Sequence, residues 1–142
     1  MKYFSLILFS LLTFTVWGVN VPSAVKTAFT KSFPQVKNVS WELEDSTLYE
    51  AEFKQNGKEF SVVYDKDGIW LETAEEIKFE EAPAALKAYK DSLYTVWHIQ
   101  DLEIIESPMA PKHYELEIEK EQNECILVFD MNGAFINVRR AD

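Results

Sequence analysis

Two histidines, His98 and His113, and one cysteine, Cys125, are the groups in this 142-residue chain that lend themselves to nucleophilic or general-base chemistry. A Cys-His pair built from them needs a reactive, accessible thiolate, whereas a thiol in an apolar row is an inert packing group. The chain holds no His-Glu-x-x-His, no Gly-x-Ser-x-Gly, no phosphate-cradling glycine loop and no paired cysteines. Asp65-Lys66-Asp67-Gly68 begins like a calcium loop, but Ile69-Trp70-Leu71 follows where further oxygen ligands belong. Asp and Gly are explained there by the backbone geometry of a hairpin turn. Asp130-Met131-Asn132-Gly133 repeats the turn with one carboxylate fewer, which supports that explanation. No catalytic set, cofactor site or metal site is expected.

The elements around these turns occur twice. Val21 to Glu72 and Ala82 to Asn137 share one plan, a proline-initiated helix followed by alternating strands that end in Asp-x-x-Gly. Val25, Ala28, Phe29 and Phe33 form an apolar stripe behind Pro22, and Leu86, Tyr89, Leu93 and Trp97 form its counterpart behind Pro83. Pro34 stops the first helix; the second lacks that stop and is expected to run longer. Pro22 and Pro83 lie 61 positions apart and Gly68 and Gly133 lie 65 apart, which places a four-residue insertion in Ser107-Pro108-Met109-Ala110-Pro111. Each unit reads as one helix plus about four antiparallel strands. The fold class is therefore α+β, a tandem repeat over residues 19–80 and 81–142 with both helices on one face of the sheet. One sheet of about eight strands and two separate sheets both satisfy the pattern.

Turn chemistry sets the register. Asn56-Gly57 is a two-residue hairpin signal that pairs Phe53 with Phe60, Ala51 with Val62 and Tyr49 with Tyr64. The Asp65 to Gly68 turn is expected to pair Tyr64 with Ile69 and Val62 with Leu71. In the second unit the same offsets pair Ile118 with Cys125, Leu116 with Leu127, Tyr114 with Phe129 and Phe129 with Ala134, which buries Cys125. This register turns Glu50, Val63 and Trp70 outward in one unit and Glu115, Val128 and Phe135 in the other, with Ile126 alongside. Glu42, Glu52, Glu72, Glu103 and Glu117 surround them. Apolar centres with a polar rim suit a protein-binding surface. These seven outward residues are the candidate site, although helix ends, loops or a second subunit covering them would explain the same pattern.

Lys2 followed by the uncharged run Tyr3 to Val19 reads as a secretory signal peptide, residues 1–18, cleaved near Gly18. The run is at the short edge of what spans a bilayer, so no stable membrane insertion is expected after cleavage. A net charge of -10 excludes nucleic acid as a partner, because phosphate contacts need stripes of Lys and Arg. An exported protein with one cysteine must bury it or pair it between molecules.

Val21-Pro22-Ser23-Ala24-Val25 with Phe29 and Phe33-Pro34, then Val39-Ser40-Trp41-Glu42, Tyr49-Glu50-Ala51-Glu52-Phe53 and Tyr64 through Trp70, resembles the PepSY-like family, also described as beta-lactamase-inhibitor-like. The resemblance covers essentially the whole mature chain. The second unit diverges, with Tyr94-Thr95 replacing Phe33-Pro34 and Gln122 replacing the hairpin glycine. The resemblance implies tandem helix-plus-sheet units in a periplasmic or secreted protein, with relatives that restrain hydrolases through an open sheet face. It carries over no catalytic or binding residues. The expectation is a non-catalytic binding module whose partner is an unidentified exported protein, an inhibitor or regulator of an exported hydrolase. A small-ligand or divalent-cation sensor is the alternative.

Overall fold

The computed structural model describes residues 18–44 and 46–140. The expected leader, apart from Gly18, lies outside the described residues. Helix α1 spans Ser23–Ser32 and is followed by β1 (Ser40–Glu44), β2 (Leu48–Gln55), β3 (Lys58–Asp65) and β4 (Trp70–Glu76). A short 3-10 turn at Phe79–Glu81 leads to helix α2 (Ala84–Leu93), then β5 (His98–Ser107), β6 (Ala110–Lys120), β7 (Asn123–Asp130) and β8 (Phe135–Arg140). All eight strands form one antiparallel sheet in sequence order. β4 pairs with β5, Thr73 to Glu76 against Glu106 to Glu103. One continuous sheet is thus the outcome of the two arrangements that the sequence allows.

Each helix begins behind its proline, whose carbonyl accepts from the amide four residues on, Lys26 at 3.1 Å and Lys87 at 3.2 Å. Contrary to expectation, α2 is no longer than α1; each has ten residues. Thr95 Oγ1 donates to the Asp91 carbonyl and closes the end of α2 without a proline. Leu93 consequently falls outside the core and is exposed. No helix of the described residues is long and apolar enough to cross a membrane.

Alternation along the strands separates two faces. Val25 and Phe29 of α1 share a hydrophobic cluster with Ala51, Phe53, Val62 and Tyr64, while Leu86 of α2 shares another with Leu116, Ile118, Cys125, Leu127 and Phe129. We call the sheet face bearing these clusters the core face. The β5–β6 hairpin closes with Ser107 paired to Ala110 across a Pro108-Met109 turn.

The two Asp-x-x-Gly turns are built alike. Asp65 Oδ1 accepts from the amides of Asp67 and Ile69, and Asp130 Oδ1 accepts from those of Asn132 and Ala134, each at 2.8–2.9 Å. Gly68 and Gly133 occupy positive φ at 81° and 83°. A Cβ on Gly68 would lie 2.7 Å from the Ala24 carbonyl oxygen, and one on Gly133 would lie 2.8 Å from Pro83 Cβ. Glycine is needed there for two reasons, the turn itself and the close approach of a helix start.

Candidate functional site

The turns also correct the expected register. Asp65 N–H donates to the Ile69 carbonyl and Gly68 N–H to the Asp65 carbonyl, so Asp65 closes the hairpin over a three-residue loop that ends in a left-handed glycine. Tyr64 therefore pairs with Trp70, not Ile69, and a bulge between Val63 and Tyr64 then sets Val63 opposite Glu72 and Val62 opposite Thr73. The β7–β8 turn has the same arrangement. Phe129 pairs with Phe135, not Ala134, and Val128 pairs with Asn137 across the equivalent bulge. Each bulge adds a residue to one strand and switches the face on which the following side chains stand.

Trp70 and Phe135, expected outward, accordingly lie on the core face. Trp70 packs against the α1 cluster and its indole N–H donates to Thr73 Oγ1 at 2.9 Å. Phe135 stacks on Tyr89 of α2 with ring centroids 4.5 Å apart and planes 10° apart. The other five candidates keep their expected side. Glu50 pairs with Val63, Glu115 with Val128 and Glu117 with Ile126, opposite in sense to the core-face rows. Glu103 joins this second face opposite Glu115, and Glu76 stands on its other side. We call it the carboxylate face.

Three glutamates on this face are buried: Glu50, Glu103 and Glu115. Each meets the problem of a carboxyl out of water differently. Glu50 accepts a hydrogen bond from Ser61 Oγ, and burial, reinforced by Glu44 and Glu42, pushes its carboxyl up to about 7. Glu115 is ion-paired, to Arg139 through Oε2 and to His113 Nε2 at 2.9 Å through Oε1. His113 Nδ1 lies 2.9 Å from the Pro111 carbonyl, which only accepts, so that nitrogen carries a proton. His113 is raised, chiefly by its hydrogen bond to Glu115. Glu103 has no side-chain hydrogen bond among the described residues, and burial with Asp101, Glu115, Glu72 and Glu117 nearby pushes it up to about 9. Burial also raises Glu52, Asp101 and Glu117.

Apolar residues interleave with these carboxyls. Val63, Ala74, Ile105 and Val128 share the face, and all four are buried. Glu103 was expected only in the acidic surround, and His113 and Arg139 were not among the seven outward candidates. The alternation of β5 and β6 places the first two on this face, but Arg139 follows the β7–β8 bulge, which only the turn geometry determines.

Cys125 pairs with Ile118 on the core face and burial raises its thiol, while His113 stands opposite Ile105 on the other face. The sheet thus separates the two members of that Cys-His pair. No group of three or more potential metal ligands occurs among the described residues. A separate groove lies between the Gln35–Ser40 loop and the β2–β3 hairpin, lined by Val36, Val39, Phe53 and Phe60, away from the buried carboxyls.

The family model described as "Putative beta-lactamase-inhibitor-like, PepSY-like" matches residues 15–66 and 47–137. A BLIP-like protein from Bacteroides fragilis NCTC 9343 superposes with TM-score 0.73 at 27% identity, covering 87% of this chain and 89% of that one. A DUF2874 family protein from Bacteroides ovatus ATCC 8483 reaches TM-score 0.76 at 20% identity, over 87% and 89% of the two chains. A protein from Bacteroides eggerthii DSM 20697, described as a putative periplasmic protein, reaches 0.75 at 20% identity, over 87% and 90%. The last two likenesses speak to the fold alone. No curated protein matches the chain.

Proposed function

The chain belongs to the PepSY-like, beta-lactamase-inhibitor-like family, and on that premise we propose that it is a non-catalytic, periplasmic or secreted module that binds another exported protein through its carboxylate face. The chain is a leader, residues 1–18, followed by a tandem duplication, residues 19–80 and 81–142. Both helices cover the core face and leave the carboxylate face for the partner.

The observation that carries this reading is the composition of that face. Val63, Ile105 and Val128 sit among Glu50, Glu103, Glu115 and Arg139, and both hydrophobic clusters built on the helices lie on the opposite side. Val63, Ile105 and Val128 are already buried in the free chain and fix the shape of the face, so the surface offered to a partner is its partly exposed part, Ile126 with Glu52, Glu117 and Arg139. The proposed binding residues are Glu50, Val63, Glu115, Ile126 and Val128, joined by Glu103 and Arg139. Trp70 and Phe135 serve helix packing instead. The family description and the BLIP-like neighbour direct the search toward an exported hydrolase as the partner, and the eggerthii relative toward the periplasm.

Affinity capture from a periplasmic fraction tests the reading. The mature protein should recover a partner that Glu117→Lys with Ile126→Lys loses and Phe135→Ala keeps. Equal recovery by the wild type and the double variant would remove the carboxylate face from the account.

A further inference from the structure

β1 and β8 are the outer strands of the sheet, each paired on one side only among the described residues. An outer strand presents a row of unpaired backbone N–H and C=O groups, a template for another strand. Neither strand contains a proline, and each carries an exposed apolar side chain on the core face, Leu43 at 46% and Val138 at 49% exposure. Charge sets the two edges apart. Arg139 and Arg140, the two arginines of the chain, are both on β8, whereas β1 carries Glu42 and Glu44.

We propose that β8 of one molecule pairs with β1 of a second copy, antiparallel and head to tail, so that the sheet continues from one molecule into the next. Strand direction allows it. The eight strands alternate in direction in sequence order, so β8 runs antiparallel to the β1 of a copy set beside it in the same orientation.

The chain already holds a junction of this kind. β4 and β8 each follow an Asp-x-x-Gly turn and a bulge, β1 and β5 each follow a helix, and β4 pairs with β5. Thr73 and Val138 hold matching places opposite Val62 and Leu127, as do Glu42 and Glu103 opposite Glu50 and Glu115. Carrying the β4–β5 register to the outer edges sets Arg139 opposite Glu44 of the second copy and Arg140 opposite its Leu43. Val138 then lies diagonal to that same Leu43, so the two exposed apolar side chains cover each other.

Charge complementarity favours a second copy over a strand of arbitrary sequence. Where the internal junction has the apolar pair Ala74 and Ile105, the outer edges have Arg139 and Glu44, and opposite charges directly across strands attract. Arg139 gives Nη2 to Glu115, and a guanidinium has further donors for a second carboxylate. The contact is small, so association is weak and grows with concentration. A head-to-tail contact also leaves one free edge at each end, so assembly proceeds beyond the dimer.

Sedimentation velocity of the mature protein at concentrations rising to about millimolar tests this. The expected result is a weight-average mass that climbs past the dimer. Leu43→Lys and Val138→Lys, both at exposed positions, should each weaken association by about tenfold, whereas Glu80→Gln, outside the sheet, should leave it unchanged. Glu44→Arg and Arg139→Glu should each associate poorly alone and recover when mixed, because every edge then meets one of opposite charge. Melting curves check that the variants fold; if Arg139→Glu does not, Leu43→Lys and Val138→Lys decide. A monomer at every concentration, or a mass that stops at the dimer, would overturn the proposal. So would loss in Val138→Lys without loss in Leu43→Lys, which would assign β8 to a second β8 or to another protein's strand. Partner capture through Glu117 and Ile126 does not depend on this contact, so the two readings stand or fall separately.

Discussion

Glu103 and Glu115 stand directly opposite each other on β5 and β6, both buried, yet only Glu115 is paired with cations. Arg139 and His113 bind Glu115, whereas burial and the neighbouring carboxylates push Glu103 up to about 9. This division makes the carboxylate face sensitive to pH.

Stability should fall as pH rises. Glu103 and Glu50 are raised in the folded state from an ordinary 4.5 to about 9 and about 7, so the folded chain holds more protons than the unfolded chain above about 4.5. Their contribution is fully present below 4.5 and is lost progressively through pH 7 for Glu50 and pH 9 for Glu103. Urea unfolding from pH 5 to 9 should show a decline on the order of a few kcal/mol. Glu103→Gln should flatten its upper part. A profile rising between pH 5 and 9 would contradict the assignment.

The Glu115–Arg139 pair should be worth keeping intact. Arg139→Gln leaves a buried carboxylate with His113 alone, and should cost about 1–2 kcal/mol after allowance for the partial exposure of Arg139. Adding Glu115→Gln should recover part of that loss in a double-mutant cycle of urea unfolding. Purely additive costs would mean that the two side chains do not interact in solution.

The glycines should differ by what lies around them. Gly57→Ala meets open space and bears only the positive-φ penalty, about 1–2 kcal/mol. Gly68→Ala and Gly133→Ala add a collision with the start of α1 or α2 and should cost about 2–4 kcal/mol each. Denaturant midpoints for the three variants check the order.

Those same turns show where sequence reasoning reached and where it stopped. Helix positions, the Asn56-Gly57 hairpin with φ of 54° and 79°, and the β2–β3 and β6–β7 registers were legible because periodicity and turn preference are local. The sides of Trp70 and Phe135 were not, because one extra residue in each bulge reverses the face and nothing in the composition announces it. The pairing of Arg139 with Glu115 was hidden for the same reason, as it lies beyond the second bulge. Burial of Glu103 was hidden too, since it depends on β5 pairing with β4 across the α2 connection.

Cys125 should resist alkylation in the folded protein. It lies on the core face within the α2 cluster, and burial raises the thiol. Labelling with iodoacetamide should wait for denaturation. Rapid modification under native conditions would reopen a chemical role for it.

Phe135→Ala removes the stack on Tyr89 and should lower stability by about 1–2 kcal/mol, seen in thermal melts, without weakening partner binding. The central claim, that the carboxylate face is the binding surface, is tested most directly by quantitative affinity capture from a periplasmic fraction with three baits: wild type, Glu117→Lys with Ile126→Lys, and Phe135→Ala. The account predicts a partner held by the wild type and Phe135→Ala and lost from the double variant; a partner held by the double variant and lost from Phe135→Ala would contradict it.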